Sequence, residues 1–306
     1  MPGSGTDNTD VHSPITWTAA RGAFGRWRRE LRRRLLEPIL VGHRAFRETV
    51  LNALAARGHL IYCRLPEGNL FVDPSDRVVG SWLMWHGRWQ REEIGQAIGV
   101  LRQAGRLPAD AVFVDAGANI GTHTLYAMHT GAFARAFAFE PEPNNARLLA
   151  MNVAANALGD RVTVVQAALG EHEGRAVLHL HPRNKGAHAI GAAPSPDATE
   201  RVEVPVTRLA TVLAAHGVAP GEIGLIWIDV EGSELAVVRG LGDCLGRVPL
   251  VLEYAPDRPD PDAARALREL LQRHYTILHR VGPQTAAAEP IAALAGIAGI
   301  TDILVY

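Results

Sequence analysis

The chain has 306 residues, 47% of them hydrophobic, and a formal net charge of −1. That suffices for one large packed domain with an N-terminal extension, or for two small domains, and the charge balance gives no global argument for nucleic-acid binding. Cys63 and Cys244 cannot build a disulfide framework and no C-x-x-C pair occurs, so a reducing compartment without structural zinc is the expectation. No run of 18 apolar residues and no secretory-type apolar segment is present, which reads as a cytoplasmic chain. Lys185 is the only lysine, a compositional bias toward arginine.

Residues 1–18 read as a disordered tail, opening on small, polar and Pro/Gly-containing residues. Residues 19–108 read as a helical and hairpin extension. Its first helix carries Arg21, Arg26, Arg28, Arg29, Arg32, Arg33 and Arg34 among Trp17, Phe24, Trp27, Leu31, Leu35 and Leu36. Such a helix can rest weakly on an anionic membrane surface, or pack its apolar stripe and solvate the arginines; the second is commoner. Residues 59–73 around Pro66-Glu67-Gly68 predict a β-hairpin. Residues 78–104 predict one helix capped by Gly105, with Trp82, Trp85, His86 and Trp89 either lining a ligand pocket or packing a seam.

The third segment, 109–306, predicts alternating strands and helices. Val112, Phe113 and Val114 form a buried strand that Asp115 closes; Gly117 and Gly121 permit a tight turn, and a helix follows over 122–128. Strand, glycine turn and helix N-terminus form a cradle for anionic groups. The spacing is D-x-G-x-x-x-G, so Asp115 stands where a dinucleotide fingerprint has its first glycine. An acid there repels a pyrophosphate and suits a ligand with an ammonium and a carboxylate, such as the methionine end of S-adenosyl-L-methionine (SAM). The second apolar run, 136–139, ends at Glu140, 19 residues after Gly121, where a carboxylate can accept both ribose hydroxyl protons.

Four segments, FVDAGANIGTHTLYAM, AFAFEPEPNNARLLAMNVAAN, IWIDVEGSELAVVRG and VLEY, occur in that order over roughly residues 70–256. Together they resemble the FkbM family of SAM-dependent methyltransferases. The resemblance implies a class I, Rossmann-like α/β fold: a mostly parallel seven-stranded sheet with helices on both faces. It also implies SAM as cofactor and, in many members, O-methylation of a hydroxyl on a sugar, glycan or natural product. The His- and Pro-rich segment 179–201 departs from relatives, so substrate contacts there can differ.

Further along, a helix over 143–157 and a strand over 161–167 are expected, with Gln166 positioned as an adenine contact. Residues 176–181 and 202–206 alternate as strands of a β excursion; the loop between them holds His181 and His188. Two more buried strands, 223–229 and 248–254, end in Asp229 and Glu253, and a final antiparallel pair spans 275–280 and 301–306. Asp115, Glu140, Asp229 and Glu253 would thus share the ligand-binding rim of an open α/β sheet. For the cofactor the candidates are Asp115, Gly117 and Gly121 at the methionine end, Asn119 for its carboxylate, Glu140 for the ribose and Gln166 for the adenine. For the base the order is Asp229, Glu253, His188. Glu231 could join Asp229 around a divalent metal, without a further ligand set in view. A nicotinamide dehydrogenase is disfavoured by Asp115. A non-catalytic scaffold with the basic helix as docking arm is disfavoured because every expected rim acid is present. The expected partner is a small-molecule or glycan acceptor.

Overall fold

The structure, a computed structural model, describes residues 44–66, 68–191, 198, 200–257, 260–282 and 287–306. The expected tail and the arginine-rich helix lie outside these residues. Contacts divide the chain into two compact units, Met1–Ala53 and Leu54–Tyr306. In the first, the described part is helix α1 (Arg44–Ala55), whose last two residues belong to the second.

The second unit opens with an antiparallel hairpin, β1 (Ile61–Leu65) and β2 (Gly68–Val72). Two helices follow, α2 (Val79–His86) and α3 (Arg91–Gln103). The single helix expected over 78–104 is therefore broken. Gly87, at φ 73°, caps α2 in the left-handed conformation, and Gln90 adopts φ 47° before α3 begins. Apolar periodicity runs through the break, which is why sequence pattern alone joins the two helices. Gly105, at φ 64°, does follow the end of α3.

The central sheet comprises β3 (Val112–Ala116), β4 (Arg135–Phe139), β5 (Val162–Val165), β10 (Ile223–Ile228), β11 (Leu250–Tyr254), β12 (Ile277–Val281), β13 (Glu289–Pro290) and β14 (Thr301–Val305). Its order is β13-β12-β14-β11-β10-β3-β4-β5. β5, β4, β3, β10 and β11 run parallel, and β14 is antiparallel to both β11 and β12. Seven strands match the expectation; the two-residue β13 is an added edge. Strand alternation explains why both faces are covered. Phe113, Leu225 and Trp227 enter one core with Leu83, Ile98, Leu125 and Leu149, whereas Val112, Val114, Ile226 and Ile228 enter the other with Leu213, Val238 and Leu271. The helices on these faces include α4 (Thr122–His129), α5 (Pro143–Ala155), α6 (Leu209–Ala215), α7 (Glu234–Arg239) and α8 (Pro261–His274).

The β excursion is a second, four-stranded sheet of order β6-β9-β7-β8, with β6 (Ala168–Leu169), β7 (Gly174–Leu180), β8 (Ala189–Ile190) and β9 (Glu200–Thr207). Chain connections from β3 lead outward to β4 and from β5 back across to β10. The switch point therefore lies beyond the carboxyl end of β3, where open α/β sheets bind ligands.

The hairpin is fastened to this layout by two asparagines of α5 and its cap. Asn152, fully buried, accepts from Phe71 N at 2.6 Å and donates to the carbonyls of Phe71 (3.2 Å) and Ile120 (2.8 Å). Asn156 accepts from Asn69 N at 2.8 Å and donates to Asn69 O at 2.7 Å. These side chains satisfy a strand edge much as another strand would. Replacing Asn152 by Ala removes the partner of a part-buried N–H and of two carbonyls, one of them buried, and should cost roughly 1–3 kcal/mol in urea unfolding. An unchanged midpoint would show that β2 is not held this way.

Candidate active site

The turn after β3 is built by backbone constraints. Gly117 and Ala118 donate to Phe139 O at 3.0 and 2.9 Å, tying the turn to the end of β4. Gly117 sits at φ 87°, and a Cβ there would lie 1.9 Å from Asp229 O, so any other residue would push β3 and β10 apart. Gly121, at φ 95°, faces Leu149 so closely that a Cβ would come within 2.7 Å of its Cδ1. Gly117 lines the cavity described below, whereas Gly121 shapes the turn from behind.

Asp115 has no exposed surface. Its Oδ2 accepts from Thr124 Oγ1 at 2.5 Å and its Oδ1 has no hydrogen-bond partner among the described residues. Burial raises its pKa to about 7, against the Thr124 hydrogen bonds. Glu140, also buried, accepts from Glu142 N (2.8 Å) and from Asn119 N (2.9 Å). Burial, reinforced by Glu142 and Asp115, lifts its pKa to about 8. One carboxyl thus links the end of β4 to the turn after β3 and retains lone pairs for other donors. Asn119, at φ 50°, keeps a buried Oδ1 without a partner among the described residues.

Asp229, at the end of β10, donates its N–H to Ala116 O at 2.9 Å. Its carboxyl is pushed well above the usual range by burial first, then by Glu231, Asp302, Glu253 and Asp115. Glu253 lies opposite Asp302 across β11 and β14 and does not line the cavity; it acts on Asp229 through charge. Asp302, raised to about 6 by burial, Glu253 and Glu93, is a rim acid that lies outside the four sequence segments quoted above. Its signal was available: an antiparallel last strand brings its first residues, not its last, to this edge.

A cavity of about 550 Å³, open mouth included, joins these pieces. Its floor is Gly117, Asn119, Glu140, Asp229 and Glu231, and Ala168 and Leu169 close one end. The second sheet and its loop supply the roof through Leu178, Lys185, Gly186, His188 and Ile190. Asp115 lies behind this floor. Gln166 is exposed and does not line the cavity: β5 ends at Val165, and the next strand joins the other sheet, leaving the Gln166 side chain in solvent.

The roof loop is anchored by residues that sequence reading passed over. Asp76, buried, accepts from Val78 N (3.0 Å), Gly80 N (2.8 Å) and Lys185 N (3.4 Å). Arg77 N donates to Arg183 O at 2.7 Å and Asn145 Nδ2 to Lys185 O at 3.0 Å. Inside the loop, His181 Nδ1 accepts from the amides of Arg183 and Asn184. His188 Nδ1 accepts from His181 N at 2.9 Å, and burial, with Lys185 and His181 nearby, lowers its pKa to about 4. The neutral ring therefore carries its proton on Nε2. That corrects the expectation of His188 as a base: one nitrogen is occupied and the other is a donor. Among the described residues no group of three or more His, Cys, Asp or Glu side chains is placed to hold a metal ion, and no helix is long and apolar enough to cross a membrane.

A parallel five-stranded block with an antiparallel β14 inserted beside β11, and a cavity at the β3 switch point, define a class I methyltransferase fold. The chain matches the Methyltransferase FkbM domain over residues 115–277 and belongs to that family. It is 30% identical over 211 residues to the 31-O-demethyl-FK506 methyltransferase FkbM of Streptomyces tacrolimicus, covering 60% of this chain and 78% of that protein. It is 31% identical over 162 residues to the methyltransferase sdnD of Sordaria araneosa, covering 45% and 62%. With Methyltransferase 1 of Beauveria bassiana the identity is 30% over 154 residues, covering 44% and 60%.

The raised Asp115 pKa makes a signed prediction. A carboxyl whose folded pKa rises to about 7 stabilises the fold below the unfolded value and loses that contribution as pH climbs through 7. Asp115→Asn should therefore gain on the wild type by about 1.4 kcal/mol per pH unit between about pH 5 and 7, then level off. Denaturant unfolding at several pH values checks this; a pH-independent difference would mean Asp115 is not desolvated.

Proposed function

We propose that this chain is a SAM-dependent methyltransferase that transfers methyl to a hydroxyl oxygen on a natural product or glycan, in the cytoplasm. The observation that carries this reading is three carboxyls at the ends of β3, β4 and β10, all with raised pKa: Glu140 and Asp229 line one cavity and Asp115 lies behind its floor. Burying carboxyls near one another is costly unless a cation compensates them.

The residues fit that cofactor. Gly117 gives close backbone approach, Asn119 offers an unpartnered buried oxygen, and Glu140 has lone pairs left for ribose hydroxyls. Asp115, from behind the turn, adds negative charge toward an ammonium. When bound, SAM supplies the methyl on a positively charged sulfur. The protein orients the acceptor and takes up its proton. Asp229 serves as the base, because it lines the cavity and because a carboxylate of raised pKa holds a proton more firmly. Glu253 and Asp302 support it by holding that pKa up. The natural-product acceptor is favoured by the Streptomyces tacrolimicus relative, whose name specifies a 31-O-demethyl compound as the substrate.

Transfer of label from methyl-tritiated SAM to a panel of hydroxylated macrolides and glycosides tests this. Asp229→Asn should lower turnover by about 100-fold or more while S-adenosylhomocysteine (SAH) still binds within about threefold. Full activity in Asp229→Asn would remove it as the base, and failure of the wild type to bind SAM or SAH would remove the cofactor assignment.

A further inference from the structure

His188 presents a buried donor that the mechanism above does not use. Its Nε2 has less than a square ångström of exposed surface and no hydrogen-bond partner among the described residues. The amide of His181 can only donate, so the Nδ1 that receives it bears a lone pair, and the neutral ring must place its hydrogen on Nε2. An unpaired buried N–H costs about 1–3 kcal/mol, so a site that keeps one ready calls for a ligand that accepts there.

The surroundings indicate which part of a ligand this is. Along the floor, Asp229 of β10 is followed by Gly117 and Asn119 after β3 and Glu140 after β4, and the chain leaving β5 enters the second sheet at Ala168 and Leu169, which also line the cavity. A ribose held at Glu140 leaves its base at the far end, away from Asp229. Leu178 and Ile190 are register partners in the second sheet, so they share one face, and His188, two residues before Ile190, shares it too. Ala168, through Val206, lies on that same face, so the part of the cavity under the second sheet is largely apolar, with the His188 N–H beside Leu178 and Ile190 and Lys185 further along the loop. A flat heteroaromatic ring whose nitrogens only accept matches that pattern. The methyl acceptor, by contrast, must meet Asp229 at the opposite end.

We infer that His188 Nε2–H donates a hydrogen bond to a ring nitrogen of the adenine of SAM, making His188 a cofactor-specificity residue carried by the roof loop and not by the sheet. The inference rests on the cofactor assignment proposed above. It places purine recognition in the His- and Pro-rich segment 179–201, and takes over the role that Gln166 was expected to fill.

Calorimetric titration with SAH and its 1-deaza, 3-deaza and 7-deaza analogues tests it, in the wild type, His188→Phe and His188→Gln. One deaza analogue should bind the wild type about tenfold more weakly than SAH, the scale of one lost hydrogen bond. His188→Phe should erase that penalty by weakening SAH to the same level, and His188→Gln, which restores an N–H donor, should regain part of it. Equal affinity of the wild type for all four ligands would overturn the inference without the help of any variant. So would an identical deaza penalty in His188→Phe, or an unchanged SAH affinity with a raised KM for the acceptor, which would assign the donor to the acceptor. If the wild type bound SAH, these failures would leave the methyltransferase reading standing; no SAH binding at all would fell both.

Discussion

Desolvated negative charge is the constraint on which the site depends. Asp115, Glu140 and Asp229 end three neighbouring parallel strands, and the strand register leaves them no choice of place. Each is buried enough to lift its pKa, and Asp115 adds to the shift of both others. Such an arrangement weakens the fold at neutral pH. Among the described residues, its compensation comes from Thr124 for Asp115 and from two backbone amides for Glu140. A cation entering the cavity would stabilise all three at once, so the same charges that weaken the fold give a cationic cofactor its binding energy.

The rest of the molecule holds this cluster in shape. Gly117 lets β3 and β10 approach so closely that Asp229 O occupies the space of a side chain. Glu140 bridges the ends of β3 and β4 by accepting the Asn119 amide. From above, the second sheet and the loop around residues 181–188 cover the cavity, and Asp76, Arg77 and Asn145 pin that loop through main-chain contacts. The hairpin and α2, although they precede the family's match, therefore help to set the roof, through Asp76 at the start of α2 and through Asn152 and Asn156 behind the hairpin.

Much of this was legible in the residues. Continuous apolar runs ending in acids disclosed β3, β4, β10 and β11 and the rim they share, because in a parallel sheet every strand ends on the same side. The glycines were legible because a turn that needs positive φ leaves few alternatives. Side-chain direction was less legible. Gln166 stood at a plausible strand end, yet β5 stops at Val165, two residues short of the expected end, and Gln166 faces solvent. His188 was visible as a titratable group, but its protonated nitrogen follows from a contact with His181 that no spacing rule encodes. The break at Gly87 escaped because the hydrophobic pattern continues across it, and the asparagine clamp of α5 escaped because polar helix residues ordinarily face solvent.

The most direct measurement is calorimetric binding of SAM near pH 7 in two buffers of different ionisation enthalpy, which counts the protons exchanged. A cation seated among carboxyls with pKa near neutrality must lower those values, so binding should release protons, on the order of one per site, and SAH, lacking the sulfonium charge, should release fewer. Tight binding with no proton release, equal in both buffers, would contradict the account by showing that the strand-end carboxyls do not sense the cofactor's charge.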